Sequence, residues 1–187
     1  MNRLHRWYCS SNHWNRVVGE KLMPWVLRDI DLGEHVLELG PGPGITTDLL
    51  RRRAPRLTSV EIDPRLASRL EARLRDTNVT VLRADASALP LPEASFSGAI
   101  ACTMLHHVAS PALQDRLLGE VRRVLRPGGV FVGSDSLSSR LFRLIHVFDT
   151  LVPVDPAGLR ARLESAGFSA VKVDVAGRSF RFCARAA

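Results

Sequence analysis

The sequence predicts an α/β fold, a doubly wound and mostly parallel sheet, because short apolar runs alternate with longer amphipathic stretches. Five runs are short, rich in β-branched or small residues and bounded by Gly, Pro or Asp, as expected of strands buried on both faces: His35–Leu39, Leu57–Ile62, Val79–Ala84, Ser97–Cys102 and Val130–Ser134. The C-terminal end differs. There Ala170–Val175 and Ser179–Ala186 alternate apolar and polar residues around a turn, which predicts an antiparallel hairpin.

Three stretches between these runs carry helical signals. Pro64–Arg75 follows Asp63, a good N-cap residue, and has proline at its first position. In Pro111–Leu125 the apolar residues recur at three- and four-residue spacing. Pro156–Ala166 is followed by Gly167, at the usual place for a helix-ending glycine. We expect these helices to cover the faces of the sheet.

Length and composition indicate one globular domain, 1–187, of which 45% of residues are hydrophobic and 24% charged. There are 26 Lys+Arg against 19 Asp+Glu, and the resulting net charge of +7 indicates either a nucleic-acid partner or an arginine-rich solvated surface. No apolar run approaches the roughly 18–20 residues of a membrane span. The first residues lack the apolar core of a secretory signal, so we expect a cytoplasmic protein.

The three cysteines, Cys9, Cys102 and Cys183, are scattered and never in C-x-x-C spacing. They therefore indicate neither a disulfide framework nor a zinc site, and no metal is predicted. The N-terminal leader, residues 1–30, contains every tryptophan and the only tyrosine of the chain: Trp7, Tyr8, Trp14 and Trp25. Two interpretations stay open for it, a helix packed on the sheet edge or a lid over a ligand.

The most informative segment is a glycine-rich turn, residues 40–44 (Gly-Pro-Gly-Pro-Gly), which follows the first strand. Doubly wound sheets bind nucleotides at such a junction. Three details argue against a pyrophosphate. The spacing is G-x-G-x-G rather than G-x-G-x-x-G; Pro41 and Pro43 have no N–H to donate; and Glu38 would repel phosphate. The same carboxylate suits an ammonium or sulfonium group, directly or through water.

Acidic residues also end the second and third strands. Glu61 lies 21 residues after Gly40, where a carboxylate accepts hydrogen bonds from ribose hydroxyls. Asp85 follows the third strand and suits an exocyclic adenine amine, while the N–H of Ala86 would meet a ring nitrogen. Together with Glu38 these residues form a row at one edge of the sheet, which predicts a nucleoside site.

Four segments in order, Val36–Thr47, Val60–Asp63, Arg83–Pro92 and Arg123–Val132, resemble the class I S-adenosylmethionine-dependent methyltransferases. The closest similarity is to the small-molecule "type 11" methyltransferase domain, and it covers about residues 30–185. The resemblance implies the family's seven-stranded Rossmann-like sheet, with a cofactor-binding half over 31–135. Residues 136–187 would then supply the substrate-side connection, the last helix and the terminal hairpin.

The resemblance also implies roles for individual residues toward S-adenosylmethionine and its product S-adenosylhomocysteine. Three glycines would lie against the methionine part, with Glu38 near its amino group: Gly40, Gly42 and Gly44. Glu61 would hold the ribose, and the adenine would be framed by Ile62, Asp85 and Ala86.

The fourth strand runs into Cys102-Thr103-Met104-Leu105-His106-His107, a segment that flanks the methyl group in the family. Methyl transfer is an in-line displacement that depends mainly on positioning, and a general base is optional. His106 or His107 could deprotonate a hydroxyl; alternatively, one packs and the other is solvated. We expect Cys102 to pack beside the cofactor rather than to act as a nucleophile.

The stretch Ser136–Val154 is the predicted substrate side. Its apolar residues recur at helical spacing, with Arg140, Arg143 and His146 off that stripe: Leu137, Leu141, Leu144, Ile145 and Phe148. The stripe is either a core or dimer contact, in a monomer or a homodimer, or the wall of a pocket for an apolar or acyl-bearing metabolite.

The resulting functional hypothesis is methyl transfer to a small-molecule acceptor. The charge suggests an RNA or other nucleic-acid methyltransferase as the first rival. Against it, the fourth strand is not followed by the Asn/Asp-Pro-Pro-aromatic motif of base-amino methyltransferases, and the arginine run Arg51–Arg53 ends a helix, where cations are favoured anyway. A non-catalytic cofactor-binding module is the second rival, and a nicotinamide-dependent oxidoreductase, which the loop prolines disfavour, is the third.

Overall fold

The computed structural model describes residues 11–147 and 149–187. Its centre is a seven-stranded sheet of order β3-β2-β1-β4-β5-β7-β6. The strands are β1 His35–Leu39, β2 Arg56–Glu61, β3 Val79–Arg83, β4 Phe96–Cys102, β5 Leu125–Ser136, β6 Phe168–Ala176 and β7 Ser179–Ala186. Strands β1 to β5 pair in parallel, whereas β7 is antiparallel to both β5 and β6. The predicted sheet and its terminal hairpin are confirmed.

The helices connect and cover these strands. They are α1 Asn12–Val17, α2 Met23–Val26, α3 Ile45–Leu50, α4 Pro64–Leu74, α5 Pro111–Val124, α6 Arg140–Ile145 and α7 Pro156–Ser165. A π-helical segment, Val18–Leu22, joins α1 to α2, and a 3₁₀ turn, Leu105–His107, follows β4. The caps are as predicted, since Asp63 accepts from the N–H of Arg65 at 2.8 Å and Gly167 has a φ of +91°.

The sheet carries an apolar layer on each face. Under α5 and α7 the layer includes Leu117, Val121 and Phe182, all at most 1% exposed. On the other face the leader contributes Val18, Met23 and Val26, which pack against Val36 and Val132. The leader is also tied to the sheet because the Arg181 guanidinium donates to the Trp25 carbonyl at 2.6 Å. Residues 12–26 of the leader are therefore helical and packed, but on the face of the central strands and not at the predicted sheet edge, while Trp7 and Tyr8 lie outside the described residues.

Two sequence predictions about the elements are wrong. β3 is an edge strand with β2 as its partner, and none of its five residues is fully buried, so it is not covered on both faces. Among the described residues of 136–154 only α6 is helical, so the predicted helical spacing does not continue beyond residue 145; Leu144 is 66% exposed, which argues against a core contact there, while a dimer contact stays a prediction. Phe148, the last member of that stripe, is outside the described residues. Within 11–147 and 149–187 no helix is long and apolar enough to cross a membrane.

Candidate active site

A cavity of about 720 Å³ opens where the carboxyl ends of β1, β2 and β4 meet. Its size is in the range of small-molecule sites. Nine of the eleven residues that the sequence singled out line it: Gly40, Gly42, Glu61, Ile62, Asp85, Ala86, Cys102, His106 and His107. Glu38 and Gly44 do not. The topology explains the convergence, because parallel strands end at the same edge of a sheet.

The glycine loop, residues 40–44, uses all of its N–H groups inside the protein. Gly40 donates to the Val60 carbonyl, Gly42 to Glu61 Oε2 and Gly44 to the Pro41 carbonyl, each at 2.9 Å. The remaining two residues are prolines and have no N–H. Residues 40–44 therefore have no N–H to offer a phosphate, which argues against a nicotinamide dinucleotide.

Two glycines of this loop lack side chains for different reasons. A Cβ on Gly44 would lie 2.4 Å from both Arg73 Nη2 and Leu70 Cδ1, so this glycine allows α4 to pack closely on the loop. A Cβ on Gly42 would meet no atom within 4 Å. Because Gly42 lines the cavity, the space beside it is available to a ligand.

Glu38 lies beneath the loop and is 2% exposed. Its carboxylate accepts hydrogen bonds from Thr46 Oγ1 at 2.5 Å, Thr47 Oγ1 at 2.7 Å and Ser59 Oγ at 2.7 Å. Burial raises the pKa of Glu38, and these three hydroxyl donors oppose the rise. The carboxylate thus holds the start of α3 against β1 and β2; its contact with a ligand amino group stays a prediction.

Glu61 connects the loop to β2 and faces the cavity. Its Oε2 accepts from Gly42 and its Oε1 from the N–H of Asp63, both at 2.9 Å, and the residue is 6% exposed. A carboxylate oxygen has two acceptor sites, so each oxygen can take a further hydrogen bond. The geometry fits a ligand that offers two neighbouring hydroxyls.

The neighbouring wall combines an apolar surface with an acceptor. Ile62 is 65% exposed although it is large and aliphatic, and it lines the cavity. Asp85 Oδ1 accepts from the N–H and the Oγ of Ser87, both at 2.8 Å, and Ala86 stands between them in the chain. An exposed aliphatic side chain next to a carboxylate suits a flat ring that bears an amine.

Cys102 lines the cavity between the loop and the leader. Burial raises the pKa of its thiol far above the ordinary range, and the carboxylates of Glu38 and Asp135 add to the effect. Its Sγ lies 4.0 Å from Met23 Sδ. A thiol in this environment stays protonated and acts as a packing group. Trp14, Val17, Val18 and Leu22 also line the cavity, so the leader forms a wall of the site as well as part of the core.

Three histidines that line the cavity form a cluster after β4 and α6. His106 is 2% exposed; its Nδ1 lies 2.5 Å from Asp135 Oδ1, and its backbone N–H donates to Asp135 Oδ2 at 3.0 Å. His146 Nε2 lies 3.2 Å from His106 Nε2, and His146 Nδ1 lies 2.7 Å from the Phe142 carbonyl. The His107 ring is 4.1 Å from that of His106. Burial lowers the pKa of His146, and the nearby His106 contributes.

Sequence reasoning missed Asp135 and misplaced His146. The sequence placed His146 off the predicted apolar stripe but gave no sign that it is buried, and the residue is only 5% exposed. Contacts over 29 and 40 residues bring Asp135 and His146 to His106, and such contacts leave no local pattern. One signal was available: Asp135 ends a buried strand at the same edge as Glu38 and Glu61.

Comparisons with known proteins agree with this geometry. Residues 37–133, just over half of the chain, match the family described as "Methyltransferase domain". The chain is 40% identical over 101 residues to a probable ribosomal RNA small subunit methyltransferase A of Haloarcula marismortui, covering 52% of this chain and 34% of that protein. It is 37% identical over 117 residues to a demethylmenaquinone methyltransferase of Thermus thermophilus, covering 58% and 52% respectively.

The chain spans about a third of the first relative and about half of the second. A crystal structure of a SAM-dependent methyltransferase from Aquifex aeolicus has the same fold, with a TM-score of 0.77 and 19% identity over 100% of both chains. The family match covers the glycine loop, the acidic strand ends and the segment after β4. The chain belongs to the class I S-adenosylmethionine-dependent methyltransferase family.

Proposed function

We propose that this chain transfers a methyl group from S-adenosylmethionine to a small, apolar or acyl-bearing metabolite. The observation that carries the proposal is the single cavity that joins the glycine loop to the histidine cluster. One end has the chemistry of a nucleoside site and the other has an apolar wall. S-adenosylmethionine supplies, when bound, a sulfonium methyl group that a well-positioned nucleophile can take.

The charge at the loop end supports a cationic cofactor. Glu61, Asp63 and Asp85 all line the cavity there, and the loop offers no N–H to an anion. Glu61 would take the ribose hydroxyls, while Ile62 and Asp85 would hold the adenine. The space beside Gly42 would take the methionine part.

The opposite end supports a small acceptor with apolar character. Its apolar lining includes Val108, Leu113, Leu137 and Phe142. Arg178, at the β6–β7 turn, also lines the cavity and would offer a positive charge to an acyl or carboxylate group of the acceptor. His106 is the better candidate of the two histidines for a general base, because Asp135 orients its ring from behind. An in-line transfer would need the acceptor held between this end and the loop.

Melting temperatures with and without ligand test the cofactor assignment. S-adenosylhomocysteine should raise the melting temperature by mass action, whereas NAD should not. A saturating concentration of S-adenosylhomocysteine that leaves the melting temperature unchanged would refute the proposal. Formation of S-adenosylhomocysteine with a panel of quinols, fatty acids and hydroxy acids then identifies the acceptor class.

A ribosomal RNA acceptor is the second candidate, because one relative is a probable ribosomal RNA methyltransferase and the net charge is +7. The two acceptors differ in salt dependence. Binding to phosphates weakens steeply as salt rises, whereas an apolar metabolite is held without counterion release. Methyl transfer to rRNA fragments that collapses between low and moderate salt would favour the RNA acceptor over the metabolite.

A further inference from the structure

The histidine cluster consists of His106, His107 and His146, and in all three rings the Nδ1 atom faces a hydrogen-bond acceptor. Each Nδ1 faces an oxygen that can only accept: Asp135 Oδ1 at 2.5 Å from His106, the Phe142 carbonyl at 2.7 Å from His146, and the Thr150 carbonyl at 3.2 Å from His107. Each Nδ1 therefore carries the hydrogen. In a neutral imidazole the lone pair then sits on Nε2.

Two of these Nε2 atoms face each other, on His106 and His146, at 3.2 Å. A proton on either nitrogen can join the two rings in an N–H···N hydrogen bond at that separation. A third histidine also converges, with one ring nitrogen of each residue within 4.8 Å of the others. Three nitrogens meeting in this way suit an ion better than a proton.

The distances fit a first-row divalent metal. Zinc–nitrogen bonds of about 2.0–2.1 Å at tetrahedral angles separate two ligand nitrogens by about 3.3 Å, close to the 3.2 Å between His106 and His146. His107 would have to move closer by up to about 1.5 Å to join them. It is half-buried at the end of a 3₁₀ turn, where a side-chain rotation can supply that movement.

The surroundings are those of metal-binding histidines. Such histidines nearly always donate their second N–H to a carboxylate or a backbone carbonyl, as all three do here. Asp135 is wholly buried and also accepts from two backbone N–H groups, so its negative charge is fixed behind the His106 ring. The Phe142 ring, 4.4 Å from that of His146 and 5.0 Å from that of His106, shields the cluster on one side.

The geometry points to a divalent transition-metal site, of the zinc type, formed by His106, His107 and His146. Imidazole ligands suit such ions, and three protein ligands leave a fourth position for water or substrate. All three histidines line the cavity, so that position can be reached from it. The proposal departs from the sequence prediction that no metal is bound.

The site also narrows the acceptor, a step that rests on the proposed function. An ion held by the histidine cluster, which lines the same cavity as the glycine loop, would hold an oxygen of the acceptor and favour its deprotonated form. His106 would then act as a ligand instead of a general base. The acceptor class would be a metabolite with a hydroxyl, enol or carboxyl oxygen.

Metal binding by the full chain tests the site directly. After treatment with a chelator and dialysis, wild type should bind one Zn²⁺ per chain by calorimetry, and Co²⁺ should give the visible absorption of a tetrahedral complex. His146→Ala and His107→Ala should each lose this binding at micromolar metal. The matched control is His13→Ala, an exposed histidine on α1, which should bind as wild type does. Asp135→Asn should weaken binding about 10–100-fold.

Circular dichroism checks that each variant is folded. If one of the two ligand variants fails to fold, the other still tests the site. Wild type that binds no stoichiometric Zn²⁺, or a folded His146→Ala variant that binds it equally well, would overturn the inference. Calorimetry with S-adenosylhomocysteine separates the two proposals. A protein that binds S-adenosylhomocysteine but not Zn²⁺ refutes the metal site and leaves the methyl-transfer proposal standing. A protein that binds Zn²⁺ but not S-adenosylhomocysteine supports the metal site and refutes methyl transfer together with its acceptor class.

Discussion

Replacing Gly44 by alanine should destabilise the protein, whereas the same change at Gly42 should mainly damage cofactor binding. Both residues have positive φ, +89° at Gly44 and +55° at Gly42. A residue with a Cβ pays about 1–2 kcal/mol in that region. Gly42 also precedes Pro43, whose ring further restricts a residue with a Cβ at position 42, and this restriction offsets part of the packing difference between the two variants.

The difference between the two variants comes from packing. At Gly44 the new methyl would lie 2.4 Å from Leu70 Cδ1 and Arg73 Nη2. Arg73 is exposed enough to move at small cost, but Leu70 is 2% exposed and must leave its rotamer, at about 0.5–1.5 kcal/mol. Loss of the contacts from Arg73 Nη2 to the Pro43 and Gly44 carbonyls adds to this. We expect Gly44→Ala to be less stable than Gly42→Ala by about 1–2 kcal/mol.

Thermal unfolding without ligand measures this difference. At about 2–4 °C per kcal/mol for a chain of this size, Gly44→Ala should melt about 2–8 °C below Gly42→Ala. Calorimetry with S-adenosylhomocysteine should give the opposite order, because only the methyl on Gly42 enters the cavity. Equal melting temperatures together with equal affinities would refute the assignment of one glycine to packing and the other to the ligand.

Other predictions concern the buried carboxylates and the thiol. Glu61→Gln puts an N–H₂ against the N–H of Gly42 or of Asp63, so affinity for S-adenosylhomocysteine should fall about 5–150-fold by calorimetry, with the exposed Glu34→Gln as control. Burial raises the pKa of Glu38, so the folded state holds this proton more tightly than the unfolded state, and stability is lost as the pH rises through the folded pKa. The melting temperature of Glu38→Gln relative to wild type should therefore increase as the pH rises above 4.5, the ordinary value; a constant difference would contradict the raised pKa. Because burial raises the pKa of the Cys102 thiol, native protein should resist iodoacetamide at this position until it is unfolded, as peptide mass spectrometry can show; rapid labelling of the native protein would disprove this.

The convergence of the glycine loop, Glu61 and Asp85 on one cavity could be predicted because its signals are local. Each lies at or just after the end of a strand that the apolar runs mark, and parallel strands bring their ends together. The environment of Glu38 could not be predicted. Its partners Thr46, Thr47 and Ser59 stand on α3 and β2, and nothing in their spacing indicates that they take up both carboxylate oxygens.

At the histidine cluster the sequence predicted His106 and His107 but neither Asp135 nor the inward position of His146, because the cluster is assembled from three separate connections. His106 follows β4, Asp135 ends β5, and His146 comes just after α6, with no shared motif. The helical spacing of residues 136–154 predicted one continuous apolar stripe. In the structure α6 ends at residue 145, and His146, the next residue, is buried.

The two ends of the cavity are therefore supported differently, and this bears on where acceptor specificity resides. At the cofactor end each group is held by neighbouring strands or by the loop between them, so few changes are possible without disturbing the sheet. At the other side, Phe142 and His146 belong to the connection between β5 and α7, which lies outside the strands and is tied back by the N–H of Leu137 to the Arg178 carbonyl and by the N–H of Val152 to the His106 carbonyl, each at 2.8 Å. Substitutions there can move or remove the third ligand and reshape the apolar wall while the sheet and the cofactor end stay intact. We therefore expect the choice of acceptor to depend on residues 136–154, and transplanting that connection from a relative should change the acceptor without changing affinity for S-adenosylhomocysteine.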